Sequence, residues 1–241
     1  MDVLDPDLLL RAYSIGVFPM SDGRDARDVY WVEPRRRAII PLERFHVSRS
    51  LAKTLRSGRF QVTRDRAFTE VLRRCADRED TWINAEIERS YRLLHEAGHA
   101  HSIEAWRGGE LVGGLYGVRL GGAFFGESMF SCVPDASKVS LAWLVARLIV
   151  GGFKLLDCQF MTEHLRSLGA VEIDQRAYLT LLASTLGVGA GGSSAGASAG
   201  SGDSAGAEAA EFGALDRLLE SRPTGSPPSG WVIAQLIGHT S

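Results

Sequence analysis

Residues 111–159 constrain the fold more than any other stretch. They read LVGGLYGVRLGGAFFGESMFSCVPDASKVSLAWLVARLIVGGFKLLDCQ. Two apolar runs, 111–118 and 123–130, flank the pair Gly121-Gly122, which suits a hairpin turn. A run at 101–106 alternates with period two and leads through Gly108-Gly109 into the first of them, so three consecutive antiparallel strands are expected. A helical pattern over 137–150 and a short buried run over 154–158 follow. That order predicts an α+β sheet layer. Two acids interrupt the apolar pattern: Glu127, set between glycine and serine, and Asp157 at the end of the last run. Both are expected to face one pocket. Strand alternation places Asp157 and Gln159 on one face and turns Cys158 away into the core.

Elsewhere the chain reads as short elements. Asp5 and Pro6 suit the start of a helix that Gly16 ends. Strand-like runs follow at 30–34 and 35–40, a helix at 48–55, a strand at 60–63, and helices at 68–75, 86–97 and 177–186. Residues 187–206 are nearly all Gly, Ala and Ser, a composition expected to stay flexible. A flexible insertion (187–211) and a tail docking on the core (212–241) are expected.

No apolar run approaches the roughly 18 residues that span a bilayer. The acids Asp2, Asp5 and Asp7 do not suit a signal peptide, and a cytoplasmic location is expected. Three cysteines without C-x-x-C spacing argue against a disulfide framework or a zinc ribbon. The net charge of −2 hides an asymmetry, because residues 27–66 carry eleven Lys and Arg against four acids. Such a local field can attract a polyanion.

His95-Glu96-Ala97-Gly98-His99 matches the H-E-x-x-H zinc signature. Both histidines would have to share a helical turn, yet Gly98 sits where the helix should end, so no metal site is expected. A thiol in an apolar strand is inert, which argues against Cys158 as a nucleophile. Phe18, Met20, Trp31, Trp82, Leu115, Phe124 and Met129 could line an apolar pocket, and aromatics beside a basic belt suit base stacking.

Taken together, AYSIGVFPM, YWVEPRRRAII, FHVSRSLAKTLR, TWI, SYRLLHEAGHAHSIEAW, LVGGLYGV, FFGESMFS, ASKVSLAWLV, LLDCQ and HLRSLGAVEI make the chain resemble the leucyl/phenylalanyl-tRNA–protein transferases over nearly its whole length. The resemblance implies an α+β fold with a small, basic, tRNA-facing N-terminal α/β domain (1–65) followed by a GNAT-like catalytic acyltransferase domain (66–186). It implies transfer of Leu or Phe, less often Met, from aminoacyl-tRNA to the N-terminal Arg or Lys of a protein, marking that protein for N-end-rule degradation. No cofactor or metal is needed, because the aminoacyl ester is already activated. By that resemblance Asp157 and Gln159 orient the acceptor amine, and Glu127 meets its cationic side chain. The aminoacyl side chain enters a pocket for which Leu115, Phe124, Met129, Leu141 and Leu148 are candidates. Trp82 stacks on the terminal adenosine, with Met20 where the family's F-P-W form has its tryptophan. Arg49, Lys53, Arg56 and Arg59 hold phosphates of the acceptor stem. A monomer is expected. The rivals are a GNAT-type N-acyltransferase using acyl-CoA and a non-catalytic tRNA- or peptide-binding module. The first wants a glycine-bearing pyrophosphate loop ahead of the helix, where this chain has SCVPDA.

Overall fold

A computed structural model describes residues 3–187 and 209–238. The Gly/Ala/Ser-rich insertion expected at 187–211 lies almost wholly outside the described residues. The N-terminal helix α1 (Pro6–Ser14) starts where Asp5 accepts hydrogen bonds from the amides of Asp7 and Leu8, at 2.8 and 3.1 Å. A two-stranded antiparallel ribbon follows, β1 (Phe18–Met20) with β2 (Tyr30–Val32). Next come β3 (Arg36–Ile40), α2 (Arg49–Arg56), β4 (Gln61–Arg64), α3 (Phe68–Ala76) and α4 (Ala85–Glu96). The meander predicted from the glycine spacing is β5 (Ala100–Arg107), β6 (Glu110–Leu120) and β7 (Ala123–Ser131). It leads through α5 (Ala136–Val150) into β8 (Leu155–Gln159). The chain continues with α6 (Glu163–Ser167), β9 (Val171–Asp174), α7 (Gln175–Thr185), α8 (Ala214–Glu220) and α9 (Ser229–Gly238).

Seven strands form one mixed sheet in the order β4-β5-β6-β7-β8-β3-β9. Every neighbouring pair is antiparallel except β7 with β8. Helices cover both faces. One face packs residues such as Leu115, Phe124 and Leu156 against α2, α5 and α9. The other packs Tyr116, Phe125 and Leu155 against α1, α3, α4 and α7. Helix α5 is apolar on most sides because it lies between the sheet and the helices α2 and α9.

The sheet crosses the boundary expected at residue 65. Strand β3 is clasped between β8 and β9, and β4 forms the opposite edge beside β5. Residues 37–40 are buried, Arg37 among them, which suits an interior strand. Strand β9 was not expected. It is short, carries Glu172 and Asp174, and lies at an edge, where charge protects the open backbone groups.

Candidate active site

The parallel pair β7–β8 holds together only from Ala123↔Leu155 to Phe125↔Asp157. Beyond it β7 stays with β6 while β8 stays with β3, so a wedge opens between Gly126–Met129 and Cys158–Gln159. Two β-bulges lie at its apex. The β6–β7 register jumps from Tyr116↔Ser128 to Gly117↔Gly126, leaving Glu127 as the extra residue. The β3–β8 register jumps from Ala38↔Gln159 to Ile39↔Asp157, leaving Cys158 as the extra residue. A bulge re-aims side chains and breaks the two-residue alternation. A cavity of about 240 Å³ fills the wedge, with Leu115, Met129, Leu141, Leu144, Leu156 and Leu165 as its apolar lining and Glu127, Gln159, Trp82, Arg78 and His164 among its polar residues.

Glu127 is buried yet fully engaged. Tyr13 Oη donates to Oε1 at 2.7 Å, Tyr91 Oη donates to Oε2 at 3.0 Å, and Gln159 Nε2 donates to Oε1 at 2.8 Å. The two hydroxyl oxygens also lie within hydrogen-bonding distance of each other, and with one proton apiece they bond each other only when one of them gives up its donation to Glu127. Burial drives the Glu127 pKa up to about 7, against the pull of the two hydroxyls and Arg37 and with the help of the nearby Asp157 charge. Burial likewise holds both tyrosines well above their ordinary pKa, so they stay protonated donors. On the far side of β8, Asp157 is saturated. Arg37 Nε donates to both carboxylate oxygens at 3.0 Å, and Nη2 donates to Oδ2 at 2.6 Å. Tyr178 Oη donates to Oδ2 at 2.7 Å, and the Gln159 amide donates to Oδ1 at 2.8 Å. The Arg37 guanidinium lies between the rings of Phe18 and Tyr178, 4.7 and 4.5 Å from their centroids, and donates through Nη1 to the Gly16 carbonyl at 2.9 Å.

Comparison with known proteins decides the family. A family model described as leucyl/phenylalanyl-tRNA protein transferase matches residues 39–183, and its N-terminal domain model matches residues 2–35. A leucyl/phenylalanyl-tRNA–protein transferase of Rhizorhabdus wittichii is 63% identical, with 100% of each chain covered. That of Novosphingobium aromaticivorans is 52% identical over 99% of this chain and 97% of the relative. The chain belongs to the leucyl/phenylalanyl-tRNA–protein transferase family. The relative from Zymomonas mobilis is 60% identical over 77% of this chain and 70% of its own length. Among solved structures, that of L-PGS from Bacillus licheniformis superposes with a TM-score of 0.37 and 14% identity over 65% of this chain and 53% of that one, too slight a likeness to build on.

Within this member of the transferase family, Glu127, Gln159, Trp82, Leu115, Met129 and Leu141 come together around the cavity. Asp157 does not line it. Alternation holds from Leu155 to Cys158, so Leu156 and Cys158 line the cavity while Asp157 turns with Arg37 into the opposite layer; the bulge and the positive φ of Gln159 then bring Gln159 to the cavity side, parting it from Asp157. Burial raises the Cys158 thiol pKa far above its ordinary value, so it remains an inert wall. Phe124 and Leu148 are fully buried in the core behind the cavity, with Phe124 stacked on Phe212 at 5.4 Å. Met20 is half-buried outside the lining, one residue from Ser21, whose hydroxyl donates to the Trp82 carbonyl at 2.9 Å. Arg49, Lys53, Arg56 and Arg59 are all exposed, along α2 and just beyond it. Arg56 lies over the Trp231 ring at 5.4 Å, and Arg59 pairs with Asp135 at 3.1 Å. Arg37, counted in the basic belt, is buried and contributes nothing to its outward field. Tyr13, Arg37, Tyr91, Tyr178, Arg78 and His164 escaped the sequence reading. Tyr13 and Arg37 lie inside quoted motifs, AYSIGVFPM and YWVEPRRRAII, but their role depends on contacts over 100 residues away in sequence.

The two histidines of the H-E-x-x-H letters do not share a helical turn. Gly98, at φ 78°, follows the end of α4, His95 Nδ1 lies 2.8 Å from the Ala100 carbonyl, and its ring stacks on Phe68 at 4.1 Å. No group of three or more His, Cys, Asp or Glu among the described residues could hold a metal ion. No described helix is long and apolar enough to cross a membrane. The acyl-CoA rival gains nothing here. The residue before α5 is Asp135, in left-handed conformation at φ 71°, and its carboxylate would repel a pyrophosphate at that helix start.

Proposed function

We propose that the chain moves Leu or Phe, and less readily Met, from aminoacyl-tRNA to the N-terminal Arg or Lys of an acceptor protein, creating a residue read by the N-end rule. The observation that carries this reading is a buried, hydrogen-bonded carboxylate, Glu127, in the wall of an otherwise apolar cavity. An apolar amino-acid side chain fits among Leu115, Met129, Leu141 and Leu144. The cationic acceptor is drawn to Glu127. The amide oxygen of Gln159 is left to accept a hydrogen bond from the acceptor amine, because its Nε2 is committed to Glu127.

The amine nitrogen attacks the ester carbonyl carbon, the ester C–O bond breaks, and a peptide bond forms. The proton lost by the amine passes to Glu127, whose pKa near 7 suits both its uptake and its return to the departing ribose oxygen. Holding both reactants at near-attack distance supplies much of the rate. Asp157 serves as a positioning residue. Its Oδ1 holds the amide of Gln159, a residue at φ 61° that needs such support. The exposed cations of α2 grip acceptor-stem phosphates, and Trp82 stacks on the terminal adenosine. We assign the sheet to the GNAT type on its strand order, and the protein to the cytoplasm as a monomer.

The test is transfer of labelled Phe from Phe-tRNA to a peptide beginning with Arg. We expect labelled peptide with no added nucleotide or metal. A folded protein that leaves Phe-tRNA and peptide unchanged would sink the reading.

A further inference from the structure

Among the described residues, four buried side-chain atoms have no hydrogen-bond partner: His101 Nε2, Tyr116 Oη, Arg147 Nε and His164 Nε2. Such orphans are rare in folded proteins, and each calls for a reason. Tyr116 and His164 line the cavity. Tyr116 lies beside Tyr91, at the Glu127 end, with ring centroids 5.4 Å apart. His164 stands apart from it on the first turn of α6, which Thr162 caps by accepting from the Leu165 amide at 3.1 Å.

The surroundings of His164 indicate what it would meet. Lys138 acts on it electrostatically, and Lys138 lies 3.8 Å from Asp135. Asp135 in turn pairs with Arg59 at 3.1 Å and accepts from Thr54 of α2 at 3.2 Å. His164 therefore belongs to the side of the cavity tied to the basic helix. Burial, and then Lys138, lower its pKa, so the ring is neutral at physiological pH. A neutral ring beside a lysine does not suit a cationic acceptor. It suits a neutral oxygen that can donate or accept.

Resting on the aminoacyl transfer proposed above, we infer that His164 is a further substrate-contacting residue, its Nε2 sharing a hydrogen bond with an oxygen at the ribose–ester junction of the charged tRNA end. In this arrangement Glu127 and Gln159 hold the acceptor, the leucines hold the aminoacyl side chain, and His164 holds the leaving end. Two walls of the cavity thus take the two sides of the bond that breaks.

The experiment compares His164→Leu and His164→Gln with the unaltered protein, varying Phe-tRNA and the Arg-peptide separately and following thermal melting. A glutamine amide reaches the Nε2 position, whereas leucine fills the space without a polar atom. We expect His164→Leu to lower kcat/KM for Phe-tRNA roughly tenfold or more. Its KM for the peptide should stay within about twofold, and its melting temperature should not fall, because a buried orphan nitrogen has gone. His164→Gln should recover most of the loss. An unchanged kcat/KM for Phe-tRNA in His164→Leu overturns the contact. So does a loss carried by the peptide KM, or one that tracks a fall in melting temperature without recovery in His164→Gln. If the unaltered protein transfers nothing, the transferase reading itself fails; if it transfers and His164→Leu matches it, only the His164 contact fails.

Discussion

Removing the Asp157 carboxylate strands a guanidinium. Arg37 is 1% exposed and Asp157 is 0% exposed, so neither charge can turn to water when its partner is lost. Breaking such a pair costs about 3–5 kcal/mol, whereas replacing both members with apolar residues of similar size is close to neutral. Asp157→Ala should therefore lower the melting temperature by roughly 6–20 °C. The double change Arg37→Met with Asp157→Leu should restore most of that stability while turnover stays low, because the Gln159 amide has lost its acceptor. Melting curves beside transfer rates check this; a double variant that regains both would make Asp157 purely structural. Glu127 gives a second prediction. Its pKa rises from 4.5 to about 7 on folding, so the native state binds the extra proton. Stability from this group is full below about pH 4.5 and is lost as pH climbs through 7, by about 3 kcal/mol in all. Glu127→Gln should flatten that slope in urea titrations between pH 5 and 8. Turnover of the unaltered protein should rise through pH 7 as the carboxylate ionises. A stability slope equally steep in Glu127→Gln would assign the titration to another group.

At the level of elements, α2 is short, strongly amphipathic and anchored by Leu51 and Leu55, which leaves its basic face outward. Changing Arg49, Lys53 and Arg56 to Ala should raise KM for tRNA and reduce the slope of its salt dependence by roughly two. An unchanged slope in a plot of log KM against log salt would place the phosphates elsewhere. Much of this layer was legible in the sequence. The paired glycines marked the meander, and Asp5-Pro6 marked α1, because those signals act within a few residues. The acids of the candidate site stood out because carboxylates are rare in apolar runs. What escaped was non-local. A bulge depends on the partner strand's register, so nothing in the local letters announces that Cys158 is the extra residue of β8 or Glu127 that of β7. The place of β3 between β8 and β9 is equally invisible to a reading that moves along the chain.

For the whole molecule, the tail is part of the core. Phe212 stacks on Phe124 and on His101, with centroids 5.4 and 4.3 Å apart. Ile233, Ala234 and Ile237 are buried in the cluster that includes Leu51 and Leu55. Ending the chain before Ser229 should cost roughly 3–6 kcal/mol from the two isoleucines alone, measurable in urea. A midpoint unchanged by the truncation would make α9 a passenger. The strand order also sets a timetable. Arg37 leaves the ribosome 120 residues before the aspartate it pairs with. At about 5–20 residues per second, β3 waits roughly 6–24 s for its neighbours. During that interval a strand of two cations and an apolar half must be kept from other partners, so the burden on chaperones falls early in synthesis.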